Sequence, residues 1–408
     1  MKILMIHNSY QQSGGEDAVV AAESQLLESN GHTVVTYFRC NDELRGGGWF
    51  GFAPAGVNTI WSSRSYREIR NLLSHRKPDV AHFHNTFPLI SPAAYYACHG
   101  AGVPVVQTLH NYRLLCPSAI FFRDGNICQD CLGRGFAWPS VVHACYRDSS
   151  SASAATSAML ATHHVLGTWK EKVDIYIALC DFARNKFIEG GFPAERIVVK
   201  RNAIGSSPAP KDSEGQYALY VGRLAEEKGV RILPEAWSNL STCVPLKIAG
   251  DGPLREEVFS EIARRKLKDV DFLGRIAPAE ISQCMREARF LIFPSLWFEG
   301  FPMTIAEAFA CGLPAIVSRL GAMAEIVEDH RTGLHFTPGD PRDLAAKVEW
   351  AWTHPQEMMR MGRAARAEYE DKYTPKANYL QLMSIYARAI AKRTSAEDLV
   401  RAPMGVES

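Results

Sequence analysis

Short apolar runs alternate with amphipathic stretches along most of the chain. In the first half the runs are KILMIHN, TVVTYF, PDVAHFH, PVVQTLH, VDIYIALC and IVVKRN. After the first run lies EDAVVAAESQLLESNGH, which has apolar residues at helical spacing and Gly31 placed to end the helix. Short apolar runs separated by helices are typical of parallel strands that are buried on both faces.

The same alternation resumes in the second half, where YALYVGRL, VPLKIAGDG, VDFLGRI, RFLIFPS and LPAIVS predict strands. The segment AIGSSPAPKDSEGQ between the halves is rich in Ser, Pro and Gly and has no period, as in a linker. The pattern predicts an α/β protein of two doubly wound Rossmann-like domains that face each other, with ligands at the carboxyl ends of the strands.

These patterns give a domain plan. We predict an N-terminal domain at 1–202 with a Cys-rich insertion at 111–148, a linker at 203–216 and a second domain at 217–375. A C-terminal helix at 376–392 that can cross back to the first domain and a disordered tail at 393–408 complete the plan.

Composition narrows the class of protein. The 408 residues are 47% hydrophobic and 22% charged with a net charge of +1, so overall charge gives no reason to expect nucleic-acid binding. No apolar run approaches the roughly 18 residues that span a membrane. The apolar start ILMI is too short for the core of a signal peptide. We therefore expect a cytoplasmic protein.

Two cations follow the first strand of the second half. In VGRLAEEKG, Arg223 comes directly after the strand and Lys228 precedes the next helix. A guanidinium and an ammonium at such a junction suit a diphosphate group. The alternative is a pair of solvated surface cations.

Two glutamates flank a turn and a helix start in SLWFEGFPMTIAEAFACGLP. Glu299 precedes the helix and Glu307 lies about one turn inside it, in nearly apolar surroundings. A partly buried carboxylate needs partners, and paired hydroxyl groups suit it. Alternatives are a helix-dipole acid with a solvated neighbour, or a hydrolytic acid/base pair. Hydrolysis has no use for Arg223 and Lys228, whereas transfer from a nucleotide sugar releases a diphosphate.

The order and spacing of GRLAEEKG, AGDGP, FLGRI and PSLWFEGFPMTIAEAFACGLPAIVSRLGAMAEIV resemble the donor-binding half of the retaining glycosyltransferases of family 4, which have the GT-B fold. The first half matches more loosely, through SGGED, PDVAHFHN and TLHN. The resemblance implies that Arg223 and Lys228 hold the donor diphosphate and that Glu307 binds the ribose hydroxyls.

Further residues receive roles by the same resemblance. Glu299 is implied as a catalytic residue that holds hydroxyls of the transferred sugar, and His110 as a catalytic residue beside that sugar. Gly15 is implied to approach the phosphates closely. The remaining donor-binding residues that the resemblance implies are Leu273, Gly274 and Arg275 at the base, and Gly300, Phe301, Pro302 and Met303 at the sugar.

The chain departs from the family pattern in two places. Asn111 stands where the family often has an acid, and Asn202-Ala203-Ile204 stands where Asn-Gly-Val is usual. Both departures bear on the acceptor side. No catalytic metal is indicated, because the Asp269-x-Asp271 pair opens a strand.

A cysteine cluster has the spacing C-x11-C-x2-C-x13-C, formed by Cys116, Cys128, Cys131 and Cys145. A central CxxC with one outer cysteine on each side has the make-up of a four-thiolate structural zinc site. Four buried or free thiols are the alternative.

A basic segment, WSSRSYREIRNLLSHRK, repeats arginine every third residue at Arg64, Arg67 and Arg70. This helix face suits an anionic membrane surface or a pyrophosphate-linked lipid. An ordinary solvated face is the alternative. Membrane contact would place the protein peripherally at the inner face of the cell membrane.

The motifs together with the resemblance predict a hexosyl-type glycosyltransferase, and the resemblance implies that it is retaining. Its donor would be a UDP- or GDP-linked sugar and its acceptor a hydroxyl of a lipid-linked or saccharide molecule, in polysaccharide or glycolipid assembly. Two alternatives stay open: a nucleotide-sugar epimerase on the same fold, and a non-catalytic nucleotide-sugar-binding scaffold.

Overall fold

A computed structural model describes residues 1–10, 14–44, 52–205 and 208–401. Parts of the predicted glycine loop, linker and tail lie outside these residues. The described chain forms two compact units. The first contains Met1–Ala119, Gln129–Lys200 and the chain from Asn378, and the second contains Ile120–Cys128 and Arg201–Ala377.

The strands in chain order are β1 (Lys2–Ser9), β2 (Thr33–Cys40), β3 (Val80–Asn85), β4 (Val105–Leu109), β5 (Phe122–Arg123), β6 (Asn126–Ile127), β7 (Ile175–Ala178), β8 (Ile197–Val199), β9 (Ala218–Val221), β10 (Leu246–Ala249), β11 (Val270–Gly274), β12 (Phe290–Phe293), β13 (Ala315–Ser318) and β14 (Gly333–Phe336).

The helices are α1 (Gly15–Ser29), α2 (Phe52–Ile60), α3 (Ser63–Arg76), α4 (Ala93–Gly100), α5 (Trp138–Val142), α6 (Ser150–Val165), α7 (Thr168–Glu171), α8 (Asp181–Glu189), α9 (Ile232–Ser238), α10 (Arg255–Arg264), α11 (Pro278–Glu287), α12 (Met303–Ala310), α13 (Gly321–Ile326), α14 (Pro341–Thr353), α15 (Pro355–Lys372) and α16 (Pro375–Arg401).

The first unit is built on a six-stranded parallel sheet with the order β2-β1-β3-β4-β7-β8. The strand order reverses between β1 and β3, and in open α/β sheets ligands bind where the order reverses. The polar ends of β1 and β3 and the loop after β4 therefore form the functional edge of this unit.

The second unit repeats this architecture with a six-stranded parallel sheet of order β11-β10-β9-β12-β13-β14. Here the reversal lies between β9 and β12. Its core combines strand residues with helix residues, among them Tyr220, Ile248, Ile292, Trp237 and Val348. Two parallel-sheet α/β units confirm the predicted fold class, and every predicted strand is present.

One strand of the two six-stranded sheets, β14, was not predicted, and neither were the two short strands β5 and β6. The β14 sequence GLHF begins with Gly333 and contains His335, so it lacks a continuous apolar run. It is recognised by its pairing with β13.

The C-terminal helix differs from its predicted bounds. Instead of ending at residue 392, α16 continues to Arg401, through part of the segment expected to be disordered. The extension AKRTSAEDLVR has no apolar period but consists mostly of residues with good helix propensity. Leu382, Ile385 and Tyr386 of α16 are buried in the same core as Ile3 and Met5 of β1.

The predicted Cys-rich insertion also differs from the plan, because residues 120–128 group with the second unit. This segment contains the antiparallel hairpin of β5 and β6. Phe121, directly before the hairpin, places its ring edge-on to Phe298, with 6.3 Å between ring centroids. This aromatic contact is one that joins the segment to the rest of the second unit.

No helix within the described residues is both long and apolar enough to span a bilayer.

Candidate functional site

In the second unit, the loops that follow β9 and β12 lie against each other. The Leu296 amide donates to the Glu227 carbonyl at 2.8 Å, and the Ser295 hydroxyl donates to the same carbonyl at 3.1 Å. Gly229 makes this approach feasible: its φ is +67°, and a Cβ there would collide with the carbonyl oxygen of Pro294. Residues far apart in sequence are thus joined at the reversal point of the sheet.

Glu299 is the centre of this junction. Its side-chain oxygen Oε1 accepts hydrogen bonds from Ser295 Oγ at 2.8 Å, Trp297 Nε1 at 2.8 Å and Lys228 Nζ at 2.7 Å. Glu299 is 5% exposed, and its charge is compensated by these three donors, one of which is the Lys228 cation. The Lys228 ammonium also lies 5.1 Å from the centroid of the Trp297 ring. Lys228 is therefore held in one place.

Arg223 differs from Lys228 in its exposure. Its side chain is 61% exposed and donates from Nη2 to Glu227 at 2.6 Å. Its backbone is fixed, because the buried Tyr220 hydroxyl donates to the Arg223 carbonyl at 2.9 Å. The anchored backbone and exposed guanidinium leave Arg223 able to contact a ligand. The structure thus brings Lys228 and Glu299 together, with Arg223 on the same loop as Lys228.

Glu307 lies on α12, a helix whose neighbouring residues are almost all buried. Burial raises the pKa of its carboxyl above the ordinary value. Within the described residues the structure shows no hydrogen bond or ion pair to this carboxylate. A half-buried carboxyl group in such surroundings is suited to accept hydrogen bonds from a bound hydroxyl-rich molecule.

The segment that joins Glu299 to α12 is packed firmly. Phe301 and Pro302 are buried, and the Phe301 ring contacts Tyr373 with 5.8 Å between centroids. Gly300 begins this connection and Met303 is the first residue of α12. The backbone of the predicted sugar-binding segment is therefore positioned by the core.

The predicted base-binding residues lie farther along the sheet edge. Leu273 and Gly274 end β11, and Arg275, which follows them, is exposed. β10 separates β11 from β9, and neighbouring strands lie about 4.8 Å apart, so this segment is about 10 Å from the loop after β9. That separation suits different parts of one extended ligand.

In the first unit, Gly15 is the first residue of α1, and a Cβ at this position would meet no atom of the described residues within 4 Å. His110 follows β4, and its Nε2 is 2.8 Å from Nδ1 of His84. Burial lowers the pKa of His110 to about 3, so the imidazole is neutral near pH 7. A pocket of about 40 Å³ is lined by His84, Gln107, His110, Asn111 and Arg113, among others.

Asn111 has a carboxyl partner from another element. Its Nδ2 donates to Glu16 Oε1 at 2.6 Å, and burial raises the pKa of Glu16 to about 7. Position 111 lacks the acid that the family often carries beside this histidine. Glu16 of α1 instead places a carboxyl group next to Asn111.

Sequence reasoning assigned no function to a buried charge cluster in the first unit. Lys200 Nζ donates to Glu23 Oε1 at 2.5 Å, and both side chains are almost fully buried. His84 Nε2 lies 3.6 Å from Glu23 Oε2, and His82 Nδ1 lies 4.0 Å from it. The HFH of PDVAHFH was a signal of part of this cluster. Residues two apart on a strand share a face, so its two histidines lie on the same side of the sheet.

The four cysteines of the predicted zinc site are divided between the units: Cys128 belongs to the second, the others to the first. A group with three potential metal-ligand atoms within 4.8 Å of one another is formed among the described residues by Glu23, His82 and His84. A four-thiolate zinc site at the cysteines is not tested by this observation. Zinc stays a prediction.

Family models match nearly all of the chain. The Glycosyltransferase Family 4 model matches residues 13–206, and the Glycosyl transferases group 1 model matches residues 206–368. The chain belongs to the family-4 glycosyltransferases. This agrees with the resemblance seen in the sequence motifs, and the second model spans every predicted donor-binding residue except Gly15.

Curated relatives of this glycosyltransferase chain match different shares of it. The glycogen synthase of Mycobacterium tuberculosis is 28% identical over 388 residues, which cover 90% of this chain and 89% of the relative. The D-rhamnosyltransferase WbpZ of Pseudomonas aeruginosa is 33% identical over 161 residues, covering 39% of this chain and 42% of WbpZ. The match therefore spans less than half the length of WbpZ.

Among solved structures, Anabaena Alr3699/HepE in complex with UDP has a TM-score of 0.68 at 19% identity, covering 95% of this chain and all of that chain. At this identity the likeness shows the fold, which is that of the GT-B glycosyltransferases.

Proposed function

We propose that the protein is a retaining glycosyltransferase that moves a hexosyl unit from a nucleotide diphosphate sugar to an acceptor hydroxyl in polysaccharide or glycolipid assembly. The observation that carries the proposal is the junction of the loops after β9 and β12. In this junction the Lys228 ammonium donates a hydrogen bond to Glu299, and the Arg223 side chain, on the same loop as Lys228, is exposed.

The charges of this junction fit the leaving group. A diphosphate gains negative charge as the bond to the sugar breaks, and fixed cations lower the energy of that transition state. Lys228 is fixed by Glu299, so it needs little reorganisation when the charge develops. Arg223 can supply a planar two-pronged contact to phosphate oxygens.

Binding of hydroxyl groups of the donor would give both Glu299 and Glu307 a role. Glu307, whose carboxylate has no hydrogen-bond partner in the part of the chain that the structure describes, would accept hydrogen bonds from the two ribose hydroxyls. Glu299 and the backbone of 300–303 would hold hydroxyls of the sugar. The UDP complex of Anabaena HepE supports a uridine donor, and the glycogen synthase relative supports a saccharide acceptor.

A donor screen tests the proposal. Thermal shift with UDP-, GDP- and ADP-sugars identifies the stabilising donor, and product analysis with that donor and candidate acceptors follows. We expect stabilisation by one base class, acceptor-dependent product, and retained anomeric configuration. Donor turnover without acceptor would indicate an epimerase, and binding without any turnover would indicate a scaffold.

We also propose contact with an anionic membrane surface through α3. Arg64 is paired with Glu68 at 2.9 Å, whereas Arg67 and Arg70 are exposed and have no carboxylate partner among the described residues. Sedimentation with liposomes should show binding that grows with anionic lipid and falls in an Arg67→Glu/Arg70→Glu variant. Equal sedimentation with neutral and anionic liposomes would contradict it.

A structural zinc remains a proposal from the cysteine spacing alone. Metal analysis of the purified protein should find about one zinc per chain, and the Cys128→Ser/Cys131→Ser variant should lose it. The proposal would be contradicted if metal analysis found no zinc in the unmutated protein.

A further inference from the structure

A chain of buried side chains leads from Lys200 to His110 in the first unit. Lys200 lies after β8, Glu23 is on α1, His84 is in β3 and His110 follows β4. The contacts run from Lys200 Nζ to Glu23 Oε1 at 2.5 Å, from Glu23 Oε2 to His84 Nε2 at 3.6 Å, and from His84 Nδ1 to His110 Nε2 at 2.8 Å.

The charge state of each member is set by its neighbours. Burial alone would raise the pKa of Glu23, but the charge and hydrogen bond of Lys200 hold it below its ordinary value. Burial lowers the pKa of His84 and His110 far below 6.5. At neutral pH the cluster therefore contains an ion pair and neutral imidazoles, each with one N–H.

Two neutral imidazoles joined by one hydrogen bond have two arrangements. Either His110 donates from Nε2 to His84 Nδ1, or His84 donates from Nδ1 to His110 Nε2. In the second arrangement the unprotonated Nε2 of His84 would face an ionised carboxylate. In the first, an N–H faces it, which the carboxylate favours.

Unpaired atoms favour the same arrangement. Glu23 Oε2 and His84 Nε2 are both buried without a hydrogen-bond partner, and they face each other. Shortening their separation to about 3 Å would satisfy both if His84 carries its proton on Nε2.

A metal is a poorer explanation of this cluster. His82, the third member of the potential metal group, already uses both ring nitrogens, with Tyr386 Oη at 2.7 Å and Thr108 Oγ1 at 2.8 Å. The Lys200 ammonium beside Glu23 would also repel a cation.

We propose that Glu23 and Lys200 act as positioning residues that fix the tautomer of His110 through His84. His110 then carries its proton on Nε2 and offers the lone pair of Nδ1 as a hydrogen-bond acceptor. Within the described residues Nδ1 has no hydrogen-bond partner, and His110 lines the pocket. The group recognised at Nδ1 is a hydroxyl, which can donate, and not an ionised phosphate oxygen, which cannot. Its use in sugar transfer rests on the proposed function.

Glu23→Gln provides a sharp test. Lys200 can only donate, so the Gln carbonyl oxygen must face Lys200 and the amide NH2 must face His84 Nε2. His84 then becomes protonated on Nδ1 and donates to His110, which moves the proton of His110 to Nδ1. Tyr386→Phe is the matched control, because it alters the same core at His82 without touching the Glu23–His84 contact.

The measurement is the two-bond 1H–15N correlation spectrum of the full chain labelled with 15N-histidine, which distinguishes the two tautomers. Spectra of His84→Asn and His110→Asn assign the signals. We expect Nε2–H at His110 in the unmutated protein and in Tyr386→Phe, and Nδ1–H in Glu23→Gln.

An Nδ1–H tautomer at His110 in the unmutated protein overturns the proposal, even if Glu23→Gln does not fold. So does an unchanged tautomer in a folded Glu23→Gln variant. With an active donor, Glu23→Gln should lower kcat about tenfold with little change in KM, whereas Tyr386→Phe keeps its kcat. An altered tautomer with unchanged kcat would refute the role of Nδ1 in transfer. If no donor is turned over by any variant, the proposed function fails while the tautomer result stands.

Discussion

Two glutamates, one on a helix of each unit, have pKa values that are shifted in opposite directions. Glu23 on α1 has a lowered pKa because Lys200 offsets the effect of its burial, whereas burial raises the pKa of Glu307 on α12. Glu23 is compensated inside the protein, whereas no such cation pairs with Glu307 among the described residues. The comparison teaches that burial alone does not set the pKa of a carboxyl group, because an internal cation can reverse its effect.

The same contrast separates the two lysines. Lys200 is 1% exposed and serves the interior of the first unit, whereas the side chain of Lys228 is 23% exposed beside a surface loop. Both pair with a glutamate, but only Lys228 can also reach a ligand. Under the proposals made above, the first pair orders a site from behind and the second is part of the donor site.

The largest expected effect comes from breaking the buried pair. Lys200→Met leaves the Glu23 charge uncompensated and should lower the free energy of unfolding by about 3–5 kcal/mol. Lys228→Met is the matched control: Glu299 keeps its Ser295 and Trp297 donors, so we expect a loss of about 1 kcal/mol. Denaturant unfolding measures both. A larger loss in Lys228→Met would reverse the comparison of the two pairs.

The next effect concerns two glycines. Gly229→Ala should cost about 1–3 kcal/mol, because φ is positive there and the new Cβ would push the loops after β9 and β12 apart. Affinity for the donor should fall together with the stability of the Gly229→Ala variant.

Gly15→Ala should leave stability nearly unchanged, since its Cβ would meet no described atom, and should lower activity if Gly15 approaches the phosphates. Thermal unfolding and donor titration check both. Loss of stability in Gly15→Ala alone would contradict this assignment.

The smallest effect on stability has the opposite sign. The folded protein holds the proton of Glu307 more tightly than the unfolded chain, so stability falls as pH rises above about 4.5 and levels off above the raised pKa. Glu307→Gln does not titrate, so it should match the unmutated protein at low pH and be more stable near neutrality.

Donor binding should respond to the same substitution in the opposite direction. We expect Glu307→Gln to bind the donor about tenfold more weakly, since two charge-assisted hydrogen bonds become weaker. Denaturant unfolding at about pH 4 and about pH 7.5, with donor titration, measures both effects. Unchanged donor affinity would sink the ribose-binding role.

The alternation of apolar runs and amphipathic stretches was sufficient to predict both sheets. β14 was the exception, because its sequence GLHF has no continuous apolar run. The candidate donor-side residues could be named from the sequence because GRLAEEKG and FEGFPMTIAEAF keep them close together along the chain. Glu23, His84 and Lys200 were not, since their partners come from three separate elements of the first unit.

The sequence by itself determined most strands of the two six-stranded sheets and which segments carry Arg223, Lys228, Glu299 and Glu307. These follow from local periodicity, turn residues and motif spacing. Only the tertiary structure decided which buried charges are paired, because strand order brings distant residues within hydrogen-bond distance. Pairing in turn sets the protonation states. The Glu23 carboxylate is ionised beside Lys200, and the Glu307 carboxyl group holds its proton more tightly for want of such a partner.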